Sequence, residues 1–296
     1  MNAINIMNLT KKFNSKTVID NLNLEVKPNQ VFGFLGKNGA GKSTLINILS
    51  GNVYKTSGSF SILDYSHNDI SIIKKQIGVM PDVANLYTNM NVIEFLTYMS
   101  KLKGLSLTKN EIFKVLSDVK LENVHKVKIQ NYSFGMKKKI SLAQAILGKP
   151  KLIFLDEPTS GVDPESILAI HDLIKSLRDK GTTIFLTSHN LNEVEKLCTN
   201  IAILEKGKIK LQGNLEKLKE DFSTSINIKI TYSCESKIDL STLGDINLIS
   251  ISHNEINLEV KDKAKIPYIV NSLVENKVNI YELNQNTVSL EDIFLN

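Results

Sequence analysis

A glycine-rich loop between a predicted strand and a predicted helix is the feature that most constrains the fold of this chain. Residues 36–43 read Gly-Lys-Asn-Gly-Ala-Gly-Lys-Ser and fit the spacing G-x-x-x-x-G-K-[ST]. The apolar run Val31–Leu35 precedes the loop, and apolar residues at helical spacing follow it over Lys42–Leu49. In a phosphate-binding arrangement of this order, backbone N–H groups and a helix N-terminus surround the phosphates. A glycine turn without function is the alternative, but it does not explain this placement.

The residues of this loop have defined expected roles. Lys42 is expected to hold the β- and γ-phosphates of ATP, and the hydroxyl of Ser43 is expected to bind Mg²⁺. Both ATP and Mg²⁺ are therefore predicted cofactors. The nucleotide-binding residues predicted in and after the loop are Gly36, Lys37, Asn38, Gly39, Ala40, Gly41, Lys42, Ser43 and Thr44.

Two carboxylates follow a second apolar strand, predicted over residues 151–155. Asp156 and Glu157 would lie at the carboxyl edge of the sheet, where α/β proteins bind their ligands. Asp156 is suited to holding Mg²⁺ and Glu157 to acting as a general base. The polar start of an ordinary loop is the alternative, which the phosphate loop makes less favourable.

A serine precedes a predicted helix between these two motifs. Ser133 lies in the segment Tyr-Ser-Phe-Gly-Met, residues 132–136, and residues 137–147 have a helical pattern. A hydroxyl and free N–H groups at a helix N-terminus form a second candidate anion site. Taken alone, Ser133 would more often be an ordinary helix N-cap.

The order of predicted elements indicates an α/β fold. Strands at residues 4–12 and 18–26 are predicted to form an antiparallel pair, and later strands alternate with helices, which implies a mainly parallel sheet. We assign residues 1–218 to a first domain that contains a helical subdomain at about residues 83–147. Residues 226–296 are assigned to a small C-terminal α/β accessory domain.

Composition excludes several classes of protein. The two cysteines, Cys198 and Cys234, lie far apart, so neither a disulfide framework nor a zinc site is predicted. The net charge of +5 comes almost entirely from lysines, with Arg178 as the single arginine, which argues against a nucleic-acid partner. Apolar runs are too short for a membrane-spanning helix, and residues 1–10 do not resemble a signal peptide, so we expect a cytoplasmic protein.

Together these motifs resemble the nucleotide-binding domains of ABC transporters, over residues 1 to about 215. The resemblance implies a P-loop NTPase fold with a mainly parallel sheet, an antiparallel sheet and a helical subdomain. It also implies a head-to-tail homodimer or heterodimer that powers an integral membrane permease on a separate chain, at the inner face of the cell membrane. In this family Ser133, Gly135 and Met136 would contact ATP, the first two at the γ-phosphate bound to the opposite subunit.

Further site residues come from the same resemblance. Residues 160–163 look like the D-loop, with Asp163 near the nucleotide, and His189 looks like the switch histidine. His189 would hold the catalytic geometry around Glu157 and the attacking water. Phe13 aligns with the aromatic residue that stacks on adenine, with Val18 completing that face. A core phenylalanine at the end of a strand is the less favoured alternative for Phe13.

The chain departs from the common family pattern at several positions. Phe134 replaces the first glycine of the Leu-Ser-Gly-Gly-Gln signature, Met136 replaces its glutamine, and Asp82 stands where a metal-contacting glutamine is common. Asp82 is therefore only a candidate metal ligand. These features, with the closing segment 288–295, resemble the ABC-2 exporter branch that includes the bacitracin, lantibiotic and amphipathic-peptide export ATPases.

The sequence thus predicts an ATP hydrolase that drives an exporter of antimicrobial or amphipathic peptides or drugs. Lys42 would stabilise phosphoryl charge, Glu157 would polarise the water and His189 would position it. A soluble ABC ATPase acting on ribosomes or DNA is one alternative, but those proteins usually carry two cassettes or a long coiled coil. A nucleotide sensor without turnover is another, which the intact Glu157 and His189 argue against.

Overall fold

The computed structural model describes residues 2–81, 83–222, 226–234, 246–260, 262–286 and 290–291. The chain forms two compact units, Met1–Leu215 and Glu216–Asn296. Each unit has its own cluster of buried apolar residues. The two units are therefore described separately.

The first unit contains most of the regular structure. Its strands are β1 (Ile4–Phe13), β2 (Lys16–Val26), β3 (Val31–Leu35), β4 (Ser57–Ile62), β5 (Tyr65–Ser66), β6 (Ile77–Val79), β7 (Leu152–Asp156), β8 (Thr183–Ser188), β9 (Asn200–Glu205) and β10 (Lys208–Asn214). Its helices are α1 (Lys42–Leu49), α2 (Ile70–Gln76), α3 (Val92–Leu102), α4 (Lys109–Asp118), α5 (Phe134–Ile146), α6 (Pro164–Asp179) and α7 (Leu191–Leu197).

The central sheet has the strand order β10-β9-β3-β8-β7-β6. Its neighbours from β9 to β6 pair in parallel, and β10 pairs antiparallel with β9. All five residues of β3 and all six of β8 are buried, as expected of strands covered on both faces. Strands β2, β1, β4 and β5 form a separate antiparallel sheet. The predicted α/β class, with a mainly parallel sheet and a separate antiparallel sheet, is confirmed.

The sheet order determines where the functional site lies. Strand β8 pairs with β3 on one side and β7 on the other, with Leu35 opposite Ser188 and Asp156 opposite Thr187. The carboxyl ends of these three parallel strands consequently meet at one edge of the sheet. The glycine loop, the acidic pair and the segment containing His189 all begin there, which is the expected position of a ligand site in such a fold.

Helix α5 begins earlier than the sequence pattern predicts. The pattern starts at residue 137, whereas the helix starts at Phe134. Ser133 takes an extended conformation and its side chain accepts a hydrogen bond from the backbone N–H of Met136, so it caps the helix. The cap residue, rather than the first periodic apolar position, sets this boundary.

The second unit is built from antiparallel strands and a helix. Strands β11 (Ile226–Ser233), β12 (Asn247–Ile251), β13 (Glu255–Val260) and β14 (Asn279–Asn286) form a sheet of order β12-β13-β11-β14. Helix α8 (Leu215–Phe222) begins at the boundary of the units, and α9 (Ile266–Glu275) contributes to the second core. Residues 219–222, which lie between the two domains assigned from the sequence, are thus helical. Within the described ranges, no helix is long and apolar enough to cross a membrane.

Candidate nucleotide-binding and hydrolysis site

The phosphate loop requires glycine at three positions for different reasons. Gly39 and Gly41 have φ angles of 80° and 116°, which L side chains rarely adopt. A Cβ on Gly36 would lie 2.6 Å from the carbonyl oxygen of Leu204 on β9. The loop therefore packs closely on the sheet and leads directly into α1.

Lys42, the first residue of α1, points into the site instead of into solvent. Its side chain is only 6% exposed, and Nζ donates a hydrogen bond to the carbonyl oxygen of Gly36 at 2.7 Å. The same Nζ lies 3.2 Å from Oε1 of Glu157. The phosphate loop and the acidic pair are thus joined by an ion pair.

Glu157 has a strained backbone and is held from several sides. Its φ angle is 48°, in the left-handed region. Its N–H is 3.2 Å from the carbonyl oxygen of Thr187 and 3.1 Å from the Thr187 hydroxyl, and its own carbonyl accepts from Lys138 Nζ at 2.9 Å. The side chain lies between two basic groups, because Oε2 is 2.8 Å from Nδ1 of His189 and Oε1 faces Lys42. The structure therefore brings together all three residues predicted to be catalytic.

Thr187 connects the two carboxylates through β8. Its hydroxyl donates to Oδ1 of Asp156 and is also the acceptor for the N–H of Glu157. Asp156 lies directly opposite Thr187 in the sheet register. Neighbouring strands β7 and β8 therefore fix the direction of the Asp156 carboxylate.

The residues available for Mg²⁺ suit that ion chemically. Ser43 is exposed in the first turn of α1, and α1 contacts β7, which ends in Asp156. Hydroxyl and carboxylate oxygens are the donors Mg²⁺ uses, and it commonly takes one or two protein ligands together with phosphate oxygens. The buried Oε1 of Glu157 makes no hydrogen bond within the described part of the chain and has only its ion pair with Lys42 Nζ, 3.2 Å away. Asp82, the third metal candidate, lies outside the described residues.

The signature segment packs against the D-loop of the same chain. Ser133 is the N-cap of α5, as the alternative of an ordinary helix N-cap predicted. The exposed ring of Phe134 lies against Gly161, because a Cβ built on Gly161 would be 3.1 Å from it. Phe134, which replaces a glycine of the family signature, thereby contacts Gly161, whose φ angle of 74° favours glycine.

Gly135 and Asp163 meet at the N-termini of α5 and α6. A Cβ on Gly135 would lie 3.0 Å from Oδ2 of Asp163, so the two helix ends approach closely. Asp163 caps α6 by accepting from the N–H of Ser166 at 2.9 Å. Hydrogen bonds from Ser166 lower the pKa of the Asp163 carboxyl, which favours its charged form at neutral pH.

Phe13 and Val18 lie on the antiparallel strand pair. Phe13 is 45% exposed, with Lys11 Nζ 4.4 Å from its ring centroid, so the alternative of a core phenylalanine is wrong. Val18 packs on the phosphate loop, since its carbonyl oxygen would be 3.0 Å from a Cβ on Gly41. The exposed ring of Phe13 on β1 and the loop contact of Val18 on β2 thus both lie on strands that precede the phosphate loop.

Several contributing residues were missed in the sequence. Thr187 and Lys138 hold the backbone of Glu157, and Glu193 is a buried carboxylate behind His189. A usable signal existed for Glu193, because it shares the apolar face of α7 with Val194 and Leu197. Among the other histidines, His67 and His125 have rings near those of Phe60 and Phe113, and His171 faces Glu193.

Comparison with known proteins decides the family. A family model described as "ABC transporter" matches residues 19–160, and one described as "ATP-binding protein DrrA1-3-like, C-terminal domain" matches residues 213–296. The bacitracin transport ATP-binding protein BcrA of Bacillus licheniformis is 32% identical over 99% of this chain and 96% of its own length. The chain belongs to the ATP-binding family of ABC transporters. The predicted ABC-2 exporter branch is likewise confirmed.

Other relatives of this ABC ATPase support the same family assignment. The linearmycin resistance ATP-binding protein LnrL of Bacillus subtilis is 31% identical over 98% of this chain and 96% of its own length. The lantibiotic transport ATP-binding protein SrtF of Streptococcus pyogenes is 35% identical over 75% of this chain and 97% of its own length. A solved ATP-binding subunit of an ABC transporter has a TM-score of 0.67 at 28% identity, covering 74% of this chain and 93% of that one. The protein is an ABC-type ATP hydrolase.

Proposed function

We propose that this ABC ATPase closes as a pair of subunits around two ATP molecules and uses their hydrolysis to drive a separate membrane permease. The observation that carries the proposal is the position of Glu157 between Lys42 and His189. A carboxylate next to a loop that binds phosphate, oriented by a histidine, can accept a proton from water. We assign Glu157 as the general base and His189 as the group that positions the water.

Lys42 has two competing partners in this arrangement. It pairs with Glu157 and with the Gly36 carbonyl. The β- and γ-phosphate oxygens carry more negative charge than either partner and would draw Nζ toward them. Glu157 would then be free to act on water, so binding of ATP would itself activate the base.

Mg²⁺ would be held by Ser43 and Asp156, with Asp82 as a further candidate ligand. When bound, the ion neutralises charge that develops on the transferring phosphoryl group. The contact from Thr187 leaves Asp156 its second carboxylate oxygen to offer as a ligand. Phe13 and Val18 are assigned to the adenine, and residues 36–44 surround the phosphates.

Ser133 is proposed to complete the site of the opposite subunit. Its oxygen accepts from Met136 N–H, which leaves the hydroxyl proton available to a phosphate. Gly135 and the N-terminus of α5 supply further N–H groups, and Asp163 lies beside them. Met136 completes this nucleotide-facing segment.

Replacing Ser133 with aspartate is expected to prevent ATP-driven dimerisation. Aspartate is as good an N-cap as serine, so α5 should keep its start, while the added negative charge would repel the γ-phosphate of the partner's ATP. The measurement is molar mass by light scattering with ATP and Mg²⁺, in a Glu157→Gln background that retains ATP. We expect doubled mass for Glu157→Gln alone and monomer mass for the double variant.

A matched control is Ser66→Asp, which changes another serine N-cap outside the site. It should dimerise like the background protein. ATP binding by each monomer is followed with a fluorescent nucleotide, so that loss of dimer is separated from loss of nucleotide. If Ser133→Asp dimerises normally, Ser133 does not face the partner's phosphate.

The partner permease is proposed to be an exporter of antimicrobial peptides or drugs, with this subunit on its cytoplasmic face. Family membership supports a permease partner, and the named relatives act in bacitracin, lantibiotic and linearmycin transport or resistance. Tyr87, Tyr98 and Leu102 form an exposed apolar surface at and before α3 that suits contact with such a partner. Action on ribosomes or DNA remains the alternative.

Loss of the gene for this chain from its host is expected to raise sensitivity to at least one peptide or lipid-like antibiotic. The test compares growth with bacitracin, a lantibiotic and linearmycin in the deletion strain carrying the wild-type chain, Glu157→Gln or an empty plasmid. Wild type should restore growth and Glu157→Gln should not, because export needs hydrolysis. Unchanged sensitivity to all three compounds, with altered ribosome profiles, would favour the alternative.

A further inference from the structure

A buried carboxylate lies directly behind the hydrolysis site. Glu193, on α7, is 4% exposed. Its Oε1 accepts a hydrogen bond from the Thr159 hydroxyl at 2.6 Å, and its Oε2 accepts from the Ser188 hydroxyl at 2.8 Å. The Nε2 atom of buried His171, on α6, lies 3.5 Å from Oε1. One side chain therefore contacts three different segments.

Two of these segments carry the residues that meet in the site. Thr159 follows Glu157 by two residues, and Ser188 immediately precedes His189. The side chains of Glu157 and His189 approach to 2.8 Å. Glu193 thus links the two backbone segments, because each of its carboxylate oxygens accepts a hydrogen bond from one of them.

The charge on Glu193 is costly to bury. Burial is the largest influence and raises the pKa of this carboxyl, but contacts from His171, Thr159 and Ser188 together outweigh it and hold the pKa below its usual value. An apolar residue of similar size would fill the same space without desolvating a charge, and such replacements are often neutral or stabilising. Stability alone therefore gives little reason for a carboxylate here.

We propose that Glu193 is a positioning residue for hydrolysis, which holds the Glu157 and His189 segments at their catalytic separation through Thr159 and Ser188. The inference rests on the proposed roles of Glu157 and His189. It deepens them by assigning the alignment of these two residues to one buried side chain.

Glu193→Leu tests this role, because leucine keeps the volume and removes both hydrogen bonds. Misplacement of catalytic groups by about 1 Å costs on the order of 100-fold, so we expect kcat for ATP to fall about 10- to 100-fold. KM and the affinity for a fluorescent ATP analogue should stay within about twofold of wild type, since the side chain of Glu193 contacts Thr159, Ser188 and His171, none of which is assigned to the nucleotide. Glu193→Gln, which can still accept one of the two hydrogen bonds, should recover part of the loss.

The full-length chain is used throughout, with Asp172→Asn as the control for an exposed charge beside His171. Thr159→Val removes one of the two links with a smaller change and should lower kcat with the same unchanged KM.

The inference is overturned if kcat of Glu193→Leu equals that of wild type, or if kcat, affinity and melting temperature fall together. If Glu157→Gln still hydrolyses ATP, the proposed function itself fails. If Glu157→Gln is inactive but Glu193→Leu hydrolyses ATP at the wild-type rate, only the inference about Glu193 fails.

Discussion

Replacing Glu157 with glutamine is expected to lower kcat for ATP by about 10²- to 10⁴-fold, the usual contribution of a general base. Glutamine matches the shape of glutamate and can still accept a hydrogen bond from His189, so the site should keep its form. It cannot accept a proton from the attacking water. The loss should therefore fall on the chemical step.

The affinity for ATP should not fall with this substitution. Glu157 would compete with phosphate for Lys42, whose Nζ lies 3.2 Å from the carboxylate. Removing that negative charge leaves Lys42 with the Gly36 carbonyl alone and makes the site more favourable for an anion. We expect ATP affinity equal to or tighter than that of wild type.

Turnover is measured by phosphate release at saturating ATP and Mg²⁺, and affinity by titration of a fluorescent analogue. Glu25→Gln is the control, since it neutralises an exposed carboxylate on β2 outside the site. A Glu157→Gln protein that releases phosphate at the wild-type rate would exclude Glu157 as the base. It would also remove the basis for activation of the base by ATP.

Local sequence signals predicted the parts of the fold that depend on adjacent residues. The strand Val31–Leu35 and the helix Lys42–Leu49 have their predicted bounds, because the glycine loop between them determines both ends. The start of α5 was missed because a cap outweighs apolar periodicity there. Part of α8 was read as a connecting stretch, since its residues are mostly polar and its sequence has no evident start or stop signal.

Pairings between distant segments could not be derived in this way. The position of β8 between β3 and β7 sets the distance from Glu157 to His189, and that order is a non-local property. The sequence predicted Lys42, Glu157 and His189 individually, but not that Lys42 pairs with Glu157. The hydrogen bonds of Lys138 and Thr187 to the backbone of Glu157 could not be predicted for the same reason, because Glu157 lies 19 and 30 residues from them in the chain.

Replacing Lys42 with methionine is expected to weaken ATP binding by about 2–5 kcal/mol, which corresponds to roughly 30-fold or more in affinity. Methionine preserves the apolar stem of a side chain that is 6% exposed, so α1 should remain packed. The variant lacks the cation that faces the phosphates. It also leaves the Glu157 carboxylate without the lysine that faces it, and the uncompensated negative charge repels the incoming triphosphate.

Lys37→Met provides a matched control within the same loop. Lys37 is exposed, and a residue in its position contributes to phosphate binding through backbone N–H groups instead of its charge. Calorimetric titration with ATP should show near-normal affinity for Lys37→Met and little or no binding for Lys42→Met at the same concentrations. Comparable losses in both variants would mean that the net positive charge of the loop, and not the buried position of Lys42, attracts the nucleotide. A loss confined to Lys42→Met, with an unchanged melting temperature, would support exchange of this lysine between Glu157 and the phosphates.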